Sequence, residues 1–154
     1  MVQSINLTID QMRLMSLFQN VVNVNPRDCI EDEKLNRVIF VVNSGKMGLA
    51  IGRNGAHIKT LQKMLKKNIE LVEHNDDPAT FLKNLLNNKL VVDVKIVARP
   101  DGTNHAIVTV DPRNKGIVVG REGRNATKAR MFARRYFGIT NVMITNVEAP
   151  KMEM

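Results

Sequence analysis

The sequence predicts an α+β fold built as two tandem copies of one small domain, each ordered α-β-β-α-α-β with a three-stranded sheet packed on helices. Three observations lead there. An ungapped shift of 68 residues sets Val38–Thr60 over Ala106–Lys128, matching Val42 with Val110, Gly48 with Gly116, Gly52 with Gly120, Arg53 with Arg121 and Gly55 with Gly123. That period is far too long for a solenoid repeat and fits a duplicated domain. Helical and strand periodicities then alternate in the same order on both sides of residue 75. Finally, the positive charge falls twice at the same place in the repeat.

In the first copy, the stripe Ile9, Met12, Met15, Leu17 and Phe18 predicts a helix with Thr8 as its N-cap. A short strand is expected around Cys29 and Ile30 after Pro26, and the β-branched run "RVIFVV" from Arg37 to Val42 predicts a second. "GKMGLAI" reads as a helical turn leading to Gly52. A helix over Ala56–Lys67 follows, with Ile58, Leu61 and Leu65 on one face and Lys59, Lys63, Lys66 and Lys67 largely on another. "NIELVEH" closes the copy as a strand.

The second copy repeats the order. "PATFLKNLLNN" predicts a helix with Pro78 in its first turn. "KLVVDVKIVA" and "HAIVTVD" predict strands joined through Pro100, Asp101 and Gly102, residues suited to a turn. A helix pair flanks Gly120–Gly123, and "ITNVMITNV" predicts the last strand. The expected domains are 4–75 and 76–148, with 149–154 as a tail. Only "HNDDP" lies between the copies, so a rigid arrangement of the two is expected.

Composition narrows the function. The formal charge is +8, yet Gly45–Lys67 holds six basic residues and no acidic one, and Arg113–Arg135 holds eight against Glu122 alone. The rest of the chain is therefore net negative, and the cationic segments are the two that contain the glycines. A polyanion is the partner this predicts. No run of 18 apolar residues and no signal-peptide pattern is present, so a membrane span and secretion are not expected, and a cytoplasmic address is. Cys29 is the single cysteine and His57, His74 and His105 lie in no metal-ligand spacing, so neither a cofactor nor a metal is expected, nor an enzyme.

The repeated loop itself carries the chemistry. Glycines at both ends of a four-residue loop permit a sharp turn between helices and let a nucleic-acid backbone approach. The second glycine opens a helix whose free N–H groups and positive dipole end favour an anion. Arg53 and Arg121 add full charges there. A dinucleotide or P-loop reading wants Gly-x-Gly-x-x-Gly after a strand or Gly-x4-Gly-Lys-Ser/Thr, and neither spacing occurs. A mere helix-turn-helix corner is the remaining alternative.

The stretch Ala50-Ile51-Gly52-Arg53-Asn54-Gly55-Ala56-His57-Ile58 resembles the signature of the KH domain. In that family the Gly-x-x-Gly loop clamps about four single-stranded nucleotides. The element order resembles the type II, prokaryotic arrangement. Two such domains with almost no linker are similar to the paired module of the NusA family of transcription termination and antitermination factors, in its short archaeal form. The resemblance implies single-stranded RNA as ligand, with Gly52, Arg53, Asn54, Gly55, His57, Lys59 and Lys63 at the first site and Gly120, Arg121, Glu122, Gly123, Arg124 and Lys128 at the second. It also implies an aliphatic groove, for which Ile51, Ile58, Val119 and Ile69 are the candidates. The six aromatics fall at core positions.

Two departures stand out: Glu122 puts a carboxylate where a phosphate would sit, and Ala126 replaces the isoleucine the family prefers. The bacterial factor's polymerase-binding and S1 domains have no counterpart in the sequence, so RNA polymerase is a partner by resemblance only. A monomer is expected. The alternatives are a ribosome-associated or ribosome-biogenesis KH protein and, more remotely, a nucleotide-utilising enzyme.

Overall fold

A computed structural model describes residues 7–147. The outer ends of the expected domains, 4–6 and 148, and the tail over 149–154 lie outside the described residues. Within them the chain divides into two compact units, 7–75 and 76–147.

The first unit opens with α1 (Ile9–Val22), where Thr8 and Gln11 form a reciprocal capping box. The Gln11 backbone N–H donates to Thr8 Oγ1 at 3.1 Å, and the Thr8 N–H donates to Gln11 Oε1 at 2.9 Å. Such a cap stabilises a helix start by about 1 kcal/mol. The buried face of α1 is centred on Phe18 and Val22, whereas Ile9 and Met12, expected on the apolar stripe, are exposed. The first turn meets the sheet through Gln11 instead, whose Nε2 donates to the Cys29 carbonyl at 3.0 Å.

β1 (Pro26–Asp32) pairs antiparallel with β2 (Arg37–Val42), and β2 pairs parallel with β3 (Asn68–Glu73). The strand around Cys29 is thus longer than expected, starting at Pro26, a position that tolerates proline because it opens the strand. Val38, Phe40 and Val42 of β2 join Phe18, Val22, Cys29, Ala50, Leu61 and Ile69 in one core. Phe18 and Phe40 are in ring contact, tilted by 30° with centroids 4.5 Å apart. Arg37, 1 % exposed, ties the three strands: its Nε donates to Asp32 at 2.8 Å and a terminal nitrogen donates to Glu70 at 2.9 Å.

A parallel β2–β3 pair requires a crossover. It is made by α2 (Met47–Ile51), a single 3-10 turn at Arg53–Gly55, and α3 (Ala56–Leu65). Lys66, in the left-handed region with φ 55°, ends α3 two residues before the sequence periodicity does.

The second unit repeats this plan. α4 (Pro78–Leu85) is capped by Asp77. β4 (Val91–Ala98) pairs antiparallel with β5 (Asn104–Val110), which pairs parallel with β6 (Ile139–Asn146). α5 (Lys115–Val119), a 3-10 turn at Arg121–Gly123, and α6 (Arg124–Phe137) form its crossover. α6 is longer than α3 by four residues, about one turn. Phe81, Phe132 and Tyr136 are buried and in ring contact. The described residues contain no helix long and apolar enough to cross a membrane.

Candidate nucleic-acid interface

The two glycine loops have the same backbone. Gly52 (φ 76°, ψ 170°) matches Gly120 (83°, 163°), Asn54 (56°, 29°) matches Glu122 (58°, 24°), and Gly55 (71°, 23°) matches Gly123 (69°, 19°). In each loop three of four residues have positive φ, which is why glycine stands at both ends. Asn tolerates the left-handed region at the third position, and Glu122 does so less well.

Neither first glycine can be replaced freely. A Cβ on Gly52 would lie 2.8 Å from His57 Nδ1, and one on Gly120 would lie 2.9 Å from Asn125 Nδ2. His57 and Asn125 occupy matched positions and do the same work. His57 Nδ1 stands 3.1 Å from the Leu49 carbonyl oxygen and 3.3 Å from that of Ala50. Carbonyls only accept, so Nδ1 carries the proton. Asn125 Nδ2 donates to the Ile117 carbonyl at 3.4 Å. Both side chains therefore reach back from the second helix to satisfy carbonyls that the ending first helix leaves open.

Around this frame the site residues divide into three groups. Arg53 and Asn54, with Arg121 and Glu122, are exposed at the loop tips, and Lys59 and Lys63 are exposed one turn apart on α3. Arg124 is half-buried, its Nε donating to the Arg121 carbonyl at 3.3 Å. Ile51, Ile58 and Val119 are half-buried, while Ile69 lies within the core.

Lys128 departs from its expected place. It is 8 % exposed and lies on the face of α6 that also buries Ala129, Phe132 and Tyr136, so it adds no ammonium to the open side of the helix. Arg130 and Arg134, which the sequence reading passed over, are the exposed cations there. Leu49 and Ile117, at matched positions three residues before each loop, are both 60 % exposed. The 68-residue shift aligns His57 with Asn125 and Leu49 with Ile117, and was the signal that could have found these pairs.

The helix starts differ in their caps, and α2 and α5 lack side-chain caps. α1 and α4, which open the units, have side-chain caps from Thr8 and Asp77. α3 and α6, which follow the loops, have none: their N-cap residues are Gly55 and Gly123. The first N–H of each helix, at Ala56 and Arg124, is taken by the Arg53 or Arg121 carbonyl of the 3-10 turn, and the positive end of the helix dipole beside those arginines favours an anion.

A helix–Gly-x-x-Gly–helix crossover between two parallel strands, with a preceding helix and antiparallel strand, defines a type II KH domain. A family model described as KH domain matches residues 14–102, more than half of the sequence, and the chain belongs to that family. Its similarities lie with NusA-like proteins. The relative named "Probable transcription termination protein NusA" in Halobacterium salinarum is 30% identical over 92% of this chain and 99% of its own length. Proteins of the same name in Halococcus morrhuae and Methanocaldococcus jannaschii are 31% and 28% identical, over 90% and 91% of this chain and 96% and 75% of their own lengths. The crystal structure of APE1850 superposes with a TM-score of 0.81 at 35% identity, covering 90% of this chain and 99% of that one.

Proposed function

We propose that this protein binds single-stranded RNA through its two Gly-x-x-Gly loops and acts, without catalysing a reaction, as a NusA-like transcription termination or antitermination factor in contact with RNA polymerase. The observation that carries the reading is the repeated loop: one backbone conformation built twice, each time with an exposed arginine and an uncapped helix start. A corner needed only for its angle has no use for either. Phosphates take the place of the missing caps, and Lys59 and Lys63 extend the track from the first loop. The names of the relatives supply the transcriptional role.

Arg53→Asp combined with Asn54→Asp keeps both glycines and sets two carboxylates where phosphates are expected. Binding of a labelled RNA of roughly ten nucleotides is expected to fall by a factor of 10² or more, as the two sites no longer act together. For the parent, contact with four to six phosphates predicts a slope of about −3 to −4 in log K against log[salt]. A folded variant that binds like the parent would overturn the loop assignment. Recovery of the tagged protein with ribosomal subunits and without RNA polymerase would overturn the transcriptional role.

A further inference from the structure

The first unit holds a cavity that its duplicate does not reproduce in chemistry. It lies between the α1–β1 turn and the start of α2, encloses about 260 Å³, and is lined by Asn23, Val24, Asn25, Asn43, Lys46 and Leu49. Three carboxamides thus meet at one recess. Each carries an acceptor oxygen and two donor hydrogens, the pattern that pairs with a base edge. Asn43 is held in place, its Oδ1 accepting from an Arg27 guanidinium nitrogen at 3.1 Å. Asn23 is fixed by its backbone, which caps α1 in the left-handed region and donates to the Gln19 carbonyl at 2.8 Å.

The rim suits the rest of a nucleotide. Leu49 is 60 % exposed and offers an apolar face to a ring. Lys46 is exposed and offers an ammonium to a phosphate. Leu49 also stands in α2, three residues before Gly52, which ends that helix, so recess and loop are neighbours along one strand's path. Asn25 lines an adjoining cavity as well, where Gln19 Oε1 is buried and meets no donor among the described residues. That acceptor suits an exocyclic amine.

The matched positions of the second unit are different. Asp111 stands for Asn43, Asn114 for Lys46 and Ile117 for Leu49. The Asp111 carboxylate is already engaged by the Arg113 guanidinium at 3.1 and 2.9 Å. The apolar rim is kept, the carboxamide at position 43 gives way to a carboxylate, and the ammonium at position 46 gives way to a carboxamide.

We infer that the recess lined by Asn25, Asn43 and Leu49 is a base-reading pocket for an unpaired, amine-bearing nucleobase, adenine foremost, on the RNA strand gripped by the first loop. A carboxamide forms two hydrogen bonds with the N6 and N7 edge of adenine, and such a pair discriminates between bases by about tenfold. The inference rests on the RNA-binding reading above and makes the two units unequal: the first selects a base here, the second does not.

The test uses the full chain and oligo-A, oligo-C and oligo-U ribonucleotides of equal length. The parent is expected to prefer oligo-A over oligo-U by about tenfold. Asn25→Ala with Asn43→Ala should abolish that preference while leaving oligo-U affinity within about twofold. Asn25→Ala alone, at an exposed residue outside the Arg27 contact, serves if the double variant melts early. The loop variant at Arg53 and Asn54 should weaken all three ligands together. If the parent shows no preference, or the asparagine variants retain it, the base-reading pocket is wrong and RNA binding stands. If the parent binds none of the three at low salt, the RNA reading itself fails and takes the pocket with it.

Discussion

His57 occupies the space that a side chain on residue 52 would need: a Cβ there would come within 2.8 Å of His57 Nδ1, the same nitrogen that stands 3.1 Å from the Leu49 carbonyl oxygen. The imidazole thereby closes the end of α2 and, with the positive φ of residue 52, favours glycine at the start of the loop.

The two glycines of each loop should consequently respond differently to alanine. At Gly55 a Cβ meets nothing within 4 Å, so only the positive φ is penalised, by about 1–2 kcal/mol. Gly52→Ala adds the collision with His57 to the same backbone penalty and should be the more destabilising by urea titration. Equal losses at both positions would mean that His57 moves aside without cost.

Replacement of His57 itself separates positioning from contact. His57→Asn copies the arrangement at Asn125 and should keep the parent's RNA affinity and slow amide exchange at Gly52. His57→Ala leaves the last carbonyls of α2 open, at a cost of about 1 kcal/mol, and should speed that exchange. If the asparagine variant loses RNA as strongly as the alanine variant, His57 acts by touching RNA.

Glu122 carries two penalties at once, with φ 58° and a carboxylate at the loop tip. Glu122→Asn restores the residue found at Asn54, which tolerates the left-handed region. It should raise stability by about 0.5–1 kcal/mol and strengthen RNA binding most at low salt. Unchanged affinity at low salt would show that the second loop takes no phosphate.

Arg37 is a buried charge of the first unit, 1 % exposed, with Asp32 and Glu70 among its partners. Arg37→Ala leaves two facing carboxylates at the sheet and should cost about 3 kcal/mol, read as a lower denaturant midpoint for the unit 7–75. Neutralising both partners in the same variant should recover part of that loss.

Asp111 gives a pH signature. Its carboxylate accepts hydrogen bonds from the Arg113 side chain and backbone, which with the guanidinium charge lower its pKa from 3.8 to about 2. A folded-state value below the unfolded one means that the added stability is full above about pH 4 and is lost as pH falls toward 2. Carbon-detected titration should place the Asp111 midpoint near 2, and Arg113→Ala should raise it toward the ordinary carboxylate range, with the backbone N–H of residue 113 still holding it lower.

The amino-acid sequence by itself determined the order of elements, the duplication and the loops. Those features are local: Val and Ile runs favour strands, an apolar period marks helices, and glycines at a fixed spacing mark residues of positive φ. Thr8 marked the start of α1 for the same reason. The tertiary structure decided which side of each helix faces out. α6 meets its sheet at a rotation that buries Lys128 and leaves Arg130 and Arg134 exposed, a difference that counting charges cannot reveal. It also decided that His57 turns back to α2, that Ile69 belongs to the core, and that Asn23, Asn25 and Asn43 meet at one recess. Each of these depends on where separate elements cross, and crossing geometry is fixed by close packing of the whole core, which no short stretch of sequence encodes.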